Sequence, residues 1–133
     1  MEQTLSIIKP DAVERNLSNE IKNIFLNNGF KIIDEKKIQI SKAEAEQFYI
    51  VHQTKPFYDE LCKYLSSGPI IVMILEKENA ILANRELMGS TNPIEAKEGT
   101  IRKKYGISID KNSVHGSDSN DNAQIEINFF FKD

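Results

Sequence analysis

The stretch Asn112-Ser113-Val114-His115-Gly116-Ser117-Asp118-Ser119 places one of the chain's two histidines among small, polar, turn-forming neighbours. Near neutral pH an imidazole is largely uncharged, so one ring nitrogen can attack phosphorus while a hydrogen bond holds the other. His115 is therefore a candidate phosphate carrier. Gly116 removes a side chain that would block a bulky anion, and the hydroxyls of Ser117 and Ser119 offer donors to phosphate oxygens or to an orienting carboxylate. The same eight residues also read as an ordinary solvated bend, because Gly, Ser, Asp and Asn dominate turns. Basic residues add weight to the first reading. Arg85 precedes, and Lys97, Arg102, Lys103, Lys104 and Lys111 lie within, an irregular stretch from Gly89 to His115, the pattern of a segment folding over an anion. A surface loop would have the same composition.

These residues need a scaffold, and 133 residues at 40% hydrophobic suit one domain over residues 1–133, burying about two-thirds of its unfolded surface. The 17 basic and 20 acidic side chains leave a net charge of −3, which argues against a sequence-blind nucleic-acid binder. One cysteine cannot close an internal disulfide, and the opening Met1-Glu2-Gln3-Thr4 shows no leader pattern. A cytoplasmic protein is expected. The longest apolar run, Ile70 to Leu75, is far too short to span a bilayer and reads as a buried strand. Cys62 reads as packing rather than as a reactive thiol.

Along the chain, Thr4 to Ile8 alternates as a strand that Lys9-Pro10-Asp11 ends. From Ser18, the apolar positions Ile21, Ile24 and Phe25 repeat at helical spacing up to a stop at Asn27-Asn28-Gly29. Phe30 to Ile40 predicts a half-buried strand. Ser41 then caps a helix through Ala43, Ala45 and Phe48, with Glu44 completing a capping box. Pro56 opens a further helix with Phe57, Leu61, Tyr64 and Leu65 on one face. Ser67-Gly68-Pro69 precedes the buried strand, and a helix through Ala80, Ala83 and Leu87 runs to Met88-Gly89. A helical turn is expected between Ala96 and Tyr105, a short strand near Ser113 to His115, and a last helix from about Ser119 to Phe130 carrying Ala123, Ile127 and Phe130 inward.

Four separated motifs converge on one family: Thr4 to Val13, Arg85 to Pro93, Gly99-Thr100-Ile101-Arg102, and Asn112 to Ser119. In order and spacing, over essentially the whole chain, they resemble nucleoside diphosphate kinase, most closely its short bacterial form. The resemblance implies an α/β (α+β) ferredoxin-like βαββαβ sandwich, with a four-stranded antiparallel sheet, helices on its faces and a long ordered loop over the nucleotide. It implies transfer of the γ-phosphate from a nucleoside triphosphate to a nucleoside diphosphate. The cycle would be ping-pong through a phosphohistidine at His115, with broad base specificity.

Residue by residue, the resemblance makes Glu126 the carboxylate holding the imidazole nitrogen that does not attack, and puts Ser117 in the hydrogen-bond network beside them. Arg85 and Arg102 match the guanidinium forks that grip the phosphates, where planar, permanently charged groups suit oxygen pairs. Thr91 matches a hydroxyl on a phosphate, Lys9 a lysine reaching sugar hydroxyl and phosphate, and Asn112 an amide on the ribose. Tyr49 would pack on the catalytic site and hydrogen-bond near the histidine. Phe57 would be the plate on which the base stacks, with Ile109 on its other face. Mg2+ would arrive with the nucleotide, and Asp118 would meet it through water. His52 reads as a surface or interface residue. A homo-oligomer is implied, a tetramer or hexamer built from dimers.

The pattern departs at three places. Asn19 stands where the family commonly has a glycine and tolerates a left-handed backbone less freely. Lys103-Lys104 replace a small residue and an acid, and Glu86 replaces an aspartate. Two other readings have less support: a nucleotide-binding regulator without turnover is opposed by the intact residue set, and a nucleic-acid-binding sheet lacks the exposed aromatic pair.

Overall fold

The structure, a computed structural model, describes residues 1–109 and 111–131. Alternation around Thr4 extends back to give β1 (Glu2–Ile8). Lys9-Pro10-Asp11 does more than end it. A short helix, α1 (Pro10–Glu14), starts at the proline, whose missing N–H and fixed φ cost nothing at a first helical position. The left-handed residue in the link to α2 (Ser18–Asn27) is Asn16, at φ 60°. Asn19 corrects the expectation placed on it, because it is an ordinary helical residue in the first turn of α2.

β2 (Lys31–Ile38) follows, with a register shift between Ile32 and Asp34 that leaves Ile33 half exposed. The expected capping box is present: the Ser41 hydroxyl accepts from Glu44 N at 3.1 Å, and Glu44 accepts from Ser41 N at 3.0 Å, starting α3 (Lys42–Phe48). A 3-10 turn, Ile50–His52, leads to α4 (Tyr58–Leu65). That helix begins after Pro56 and Phe57 rather than at them, so the Phe57 ring stays 45% exposed instead of joining the packed face. β3 (Ile70–Lys77) is buried over its first six residues, and α5 (Ala80–Met88) ends at Gly89. Gly89 holds φ 85°, and a Cβ there would come within 2.5 Å of the Thr100 hydroxyl, so both backbone and space require glycine. The helical turn expected from Ala96 is confined to α6 (Ile101–Tyr105), capped by Thr100. β4 (Val114–Gly116) and α7 (Asn120–Phe131) complete the order.

The sheet runs β2-β3-β1-β4 with every neighbour antiparallel. This is the βαββαβ skeleton with the α3–α4 pair inserted between β2 and β3. One core, including Phe25, Met73, Leu75 and Met88, lies between the sheet and the α1, α2 and α5 side. A second, including Leu5, Val72, Leu65 and Phe130, lies under α3, α4 and α7. Cys62 is fully enclosed there, and burial pushes its thiol pKa up, so it packs as an apolar group. No helix among the described residues is long and apolar enough to cross a membrane.

Candidate active site

β4 is only three residues long, yet it decides where the chemistry sits. Antiparallel pairing sets His115 opposite Ile7 and Gly116 opposite Ser6. Side chains alternate across a strand, so Val114 enters the first core while His115 faces α3 and α7. From α7, Glu126 brings Oε1 to 3.0 Å from His115 Nε2. The Ser117 hydroxyl donates to the same oxygen at 2.8 Å. Ser117 is itself fully buried and tied to β1, accepting from Leu5 N through Oγ and donating from its own N to Leu5 O. A carboxylate only accepts, so Nε2 carries the hydrogen and Nδ1 keeps the lone pair. The imidazole is further fixed by the edge of Phe48, at 5.3 Å between centroids, and by Tyr49 at 6.4 Å. Phe48 escaped the sequence reading because its spacing marks it only as helix core.

Tyr49 lies beside the imidazole through its ring. Among the described residues its hydroxyl has no hydrogen-bond partner, and the ring contact is what it offers His115. Burial, reinforced by the charge of Glu126, pushes its pKa well above the ordinary phenol value, so the hydroxyl stays a neutral donor facing the cleft.

Arg102 is 9% exposed and bonds through Nη1 to Gly89 O at 3.0 Å and through Nη2 to Val114 O at 2.9 Å. Among the described residues its Nε is buried without a partner. Desolvation, and then the neighbouring charge of Arg85, lower its pKa to about 10, still protonated at neutral pH. Arg85 stands exposed at the end of α5, and among the described residues neither arginine forms an ion pair. Two guanidiniums held close without a carboxylate make a site that an anion would stabilise.

Lys9, 5% exposed at the end of β1, donates from Nζ to Asn112 Oδ1 at 2.9 Å, and Asn112 Nδ2 donates to Thr91 O at 3.1 Å. Asn112 thus ties the strand end to the loop that carries Thr91. At the mouth stand Phe57 and Ile109, 45% and 56% exposed. His52, which the sequence leaves as a surface or interface residue, lines the cleft between Tyr49 and Phe57, its ring centroid 6.2 Å and 6.1 Å from theirs. The 3-10 turn that carries it has no sequence signature, which is why it was missed. Asp118 is exposed at the rim and accepts from Asn122 Nδ2 at 2.5 Å.

All of these groups except Ser117, which stands behind Glu126, line one cleft of about 910 Å3. Gly116 has a reason beyond the one expected of it. A Cβ there would sit 2.2 Å from Asn84 Nδ2 and 2.7 Å from Met88 Cε, on the face away from His115. The glycine makes room for α5, and it also lines the cleft. Replacing Gly116 with alanine is expected to cost about 1–3 kcal/mol through overpacking, read as a lowered thermal midpoint.

A family model for nucleoside diphosphate kinase matches residues 2–133. The nucleoside diphosphate kinase of Campylobacter jejuni is 57% identical over 99% of this chain and 96% of its own. That of Persephonella marina is 55% identical over 98% of this chain and 94% of its own. Among solved structures, the nucleoside diphosphate kinase of Aquifex aeolicus superposes with a TM-score of 0.96 at 40% identity, covering 98% of this chain and 95% of the other.

Proposed function

The chain belongs to the nucleoside diphosphate kinase family, and from that premise we propose that His115 is the residue through which its phosphate passes. The enzyme transfers the γ-phosphate of a nucleoside triphosphate to a nucleoside diphosphate by way of a phosphohistidine. In the first half-reaction, Nδ1 of His115 forms a bond to the γ-phosphorus as the bond from phosphorus to the β,γ-bridging oxygen breaks, and the diphosphate leaves. In the second, a terminal phosphate oxygen of the incoming diphosphate attacks the same phosphorus and the N–P bond breaks. Donor and acceptor bonds are nearly equivalent, so the cycle runs either way.

The observation that carries this reading is the His115–Glu126–Ser117 chain of hydrogen bonds, at 3.0 and 2.8 Å. It directs the free lone pair to Nδ1, and Glu126 offsets the positive charge that builds on the ring as the N–P bond forms. Tyr49 and Phe48 keep the imidazole from rotating away. Arg102 and Arg85 hold the phosphates and spread the charge of the transferring group. Thr91 adds a hydroxyl to a phosphate, and Lys9 with Asn112 takes the sugar. Phe57 stacks the base, with Ile109 across from it; every base has a π-face, which supports broad specificity.

Among the described residues no three His, Cys, Asp or Glu side chains gather to hold a metal. Glu126 is committed to His115 and Ser117. A divalent cation, Mg2+ in our reading, would then come with the substrate phosphates, and the exposed Asp118 carboxylate would be the residue able to meet it, through water. Bound there, it would neutralise phosphate charge. We also propose a cytoplasmic homo-oligomer, a tetramer or hexamer of dimers. Its support is the edge strand β2, open on one side with Ile33 48% exposed, and sedimentation would size it.

Incubation with γ-labelled ATP is expected to place an acid-labile, base-stable phosphate on His115, and a chase with a second nucleoside diphosphate should remove it. Active protein with an unmodified His115 would overturn the assignment.

A further inference from the structure

Ser113 precedes β4 with φ at 76°, a conformation serine seldom adopts. Val114 N donates across it to Asn112 O at 3.0 Å. Residues 112–114 thus make the tight γ-turn with a positive φ at its centre, a strained form that persists only where its surroundings over-determine it. We propose that Asp11 is a positioning residue: its buried carboxylate holds the Ser113 turn and so aims Asn112 at the nucleotide. The inference rests on the assignment of Asn112 to nucleotide binding.

Asp11 is 6% exposed in the first turn of α1. Its Oδ2 accepts from the Ser113 hydroxyl at 3.2 Å and from Arg15 Nη2 at 3.2 Å. Its Oδ1 accepts from the Tyr64 hydroxyl, which in turn accepts from Asp11 N at 2.8 Å. Arg15 Nη2 also reaches Tyr105 O at 2.5 Å, tying α6 into the same cluster. Lys9 N donates to Ser113 O at 2.9 Å. Both the side chain and the carbonyl of Ser113 are therefore pinned to the link between β1 and α1. One residue earlier, Asn112 spans Lys9 Nζ and Thr91 O.

The two flanks of the turn are held unequally. His115 keeps its place through its pairing with Ile7 and its bond to Glu126. Asn112 has no place in a strand ladder, and whether its amide can reach Lys9 and Thr91 depends on the direction in which the turn leaves it. Relaxation of Ser113 to a negative φ would swing the Asn112 amide out of the cleft and leave the phosphate carrier in register. The defect should fall on substrate affinity, not on turnover at saturation.

Asp11→Ala and Ser113→Ala are each expected to raise KM for nucleoside diphosphate about tenfold with kcat within about threefold of wild type. Ser113→Ala removes the hydroxyl's bond to Asp11 Oδ2 and the one it accepts from Arg15 Nη2 at 3.4 Å, and leaves Asp11 paired with Tyr64 and Arg15, so it supplies the measurement should Asp11→Ala fail to fold. Adding Ser113→Gly to Asp11→Ala should return KM to within about twofold of wild type, because glycine takes a positive φ unaided. A purely stabilising Asp11 would show no such rescue. A KM within twofold of wild type in Ser113→Ala, or a folded double variant whose KM stays high, would overturn the proposal. Asn112→Ala separates the two assignments. If it raises KM while Ser113→Ala does not, only the positioning role fails; if it leaves KM unchanged, the nucleotide contact and the positioning role fall together.

Discussion

Replacing His115 with alanine is expected to lower phosphate exchange by on the order of 10^4-fold or more, because the acceptor of the transferred group is removed rather than weakened. Folding should survive. The imidazole is partly exposed at the cleft, with 20% of its side chain accessible, and its truncation opens no closed cavity in either core. Glu126 keeps its bond from Ser117, so it is not left as an unpaired charge. Circular dichroism and the thermal midpoint should stay near wild type, and nucleotide binding should persist through Arg85, Arg102 and Lys9. Residual turnover above about a hundredth of wild type would show that phosphate can pass directly between nucleotides. Loss of the folded signal together with activity would show that the imidazole also supports the fold.

Arg102→Ala should slow the reaction less than His115→Ala but, unlike it, should also destabilise the protein. Loss of a charged grip on the transferring phosphoryl group is expected to cost roughly 1.5–3 kcal/mol, one to two orders of magnitude in kcat/KM. The same truncation leaves Gly89 O and Val114 O without these donors; a buried unsatisfied carbonyl such as Val114 O costs about 1–3 kcal/mol, and the part-buried Gly89 O less because water reaches it. Arg85→Ala is the control. The Arg85 side chain is exposed and forms no hydrogen bond or ion pair among the described residues, so its loss should slow the reaction about tenfold with an unchanged thermal midpoint. Equal midpoints for the two variants would show that Arg102 does not hold the loop. Rates within twofold of wild type for both would show that neither grips phosphate. Arg102→Lys should fall between, since a lysine keeps the charge and loses the fork that spans two carbonyls.

Much of the fold was legible because local rules and burial agree. The Ser41–Glu44 box, the apolar run of β3 and the Asn28-Gly29 stop each lie where their residue types predict. The disagreements are local too. Proline at the end of β1 was read as a terminator, although at a first helical position it is an initiator. Helical spacing alone puts Phe57 on one face with Leu61, Tyr64 and Leu65, whereas the resemblance makes it the plate for the base; α4 starts after it and leaves it at the cleft mouth. Asn19, noted for tolerating a left-handed backbone less freely than the family's glycine, is helical, and the left-handed residue of that link is Asn16.

The residues of the site form a more instructive contrast. Residue type and order along the chain already named the groups able to carry, grip and orient a phosphate, because such chemistry needs an imidazole, guanidinium forks, a carboxylate and a plate for the base. What the chain order could not decide is which face of a three-residue strand His115 takes, that Phe48 and His52 enter the same cleft, or that Gly116 answers to α5. It also left hidden that Asp11, a hundred and two positions away from Ser113, closes on it. Those facts depend on the pairing of β1 with β4 and on helices packed against both sides of one sheet. Alternation across a strand and close packing between layers exist only once the chain has folded, and they turn distant residues into neighbours for which no local pattern is required.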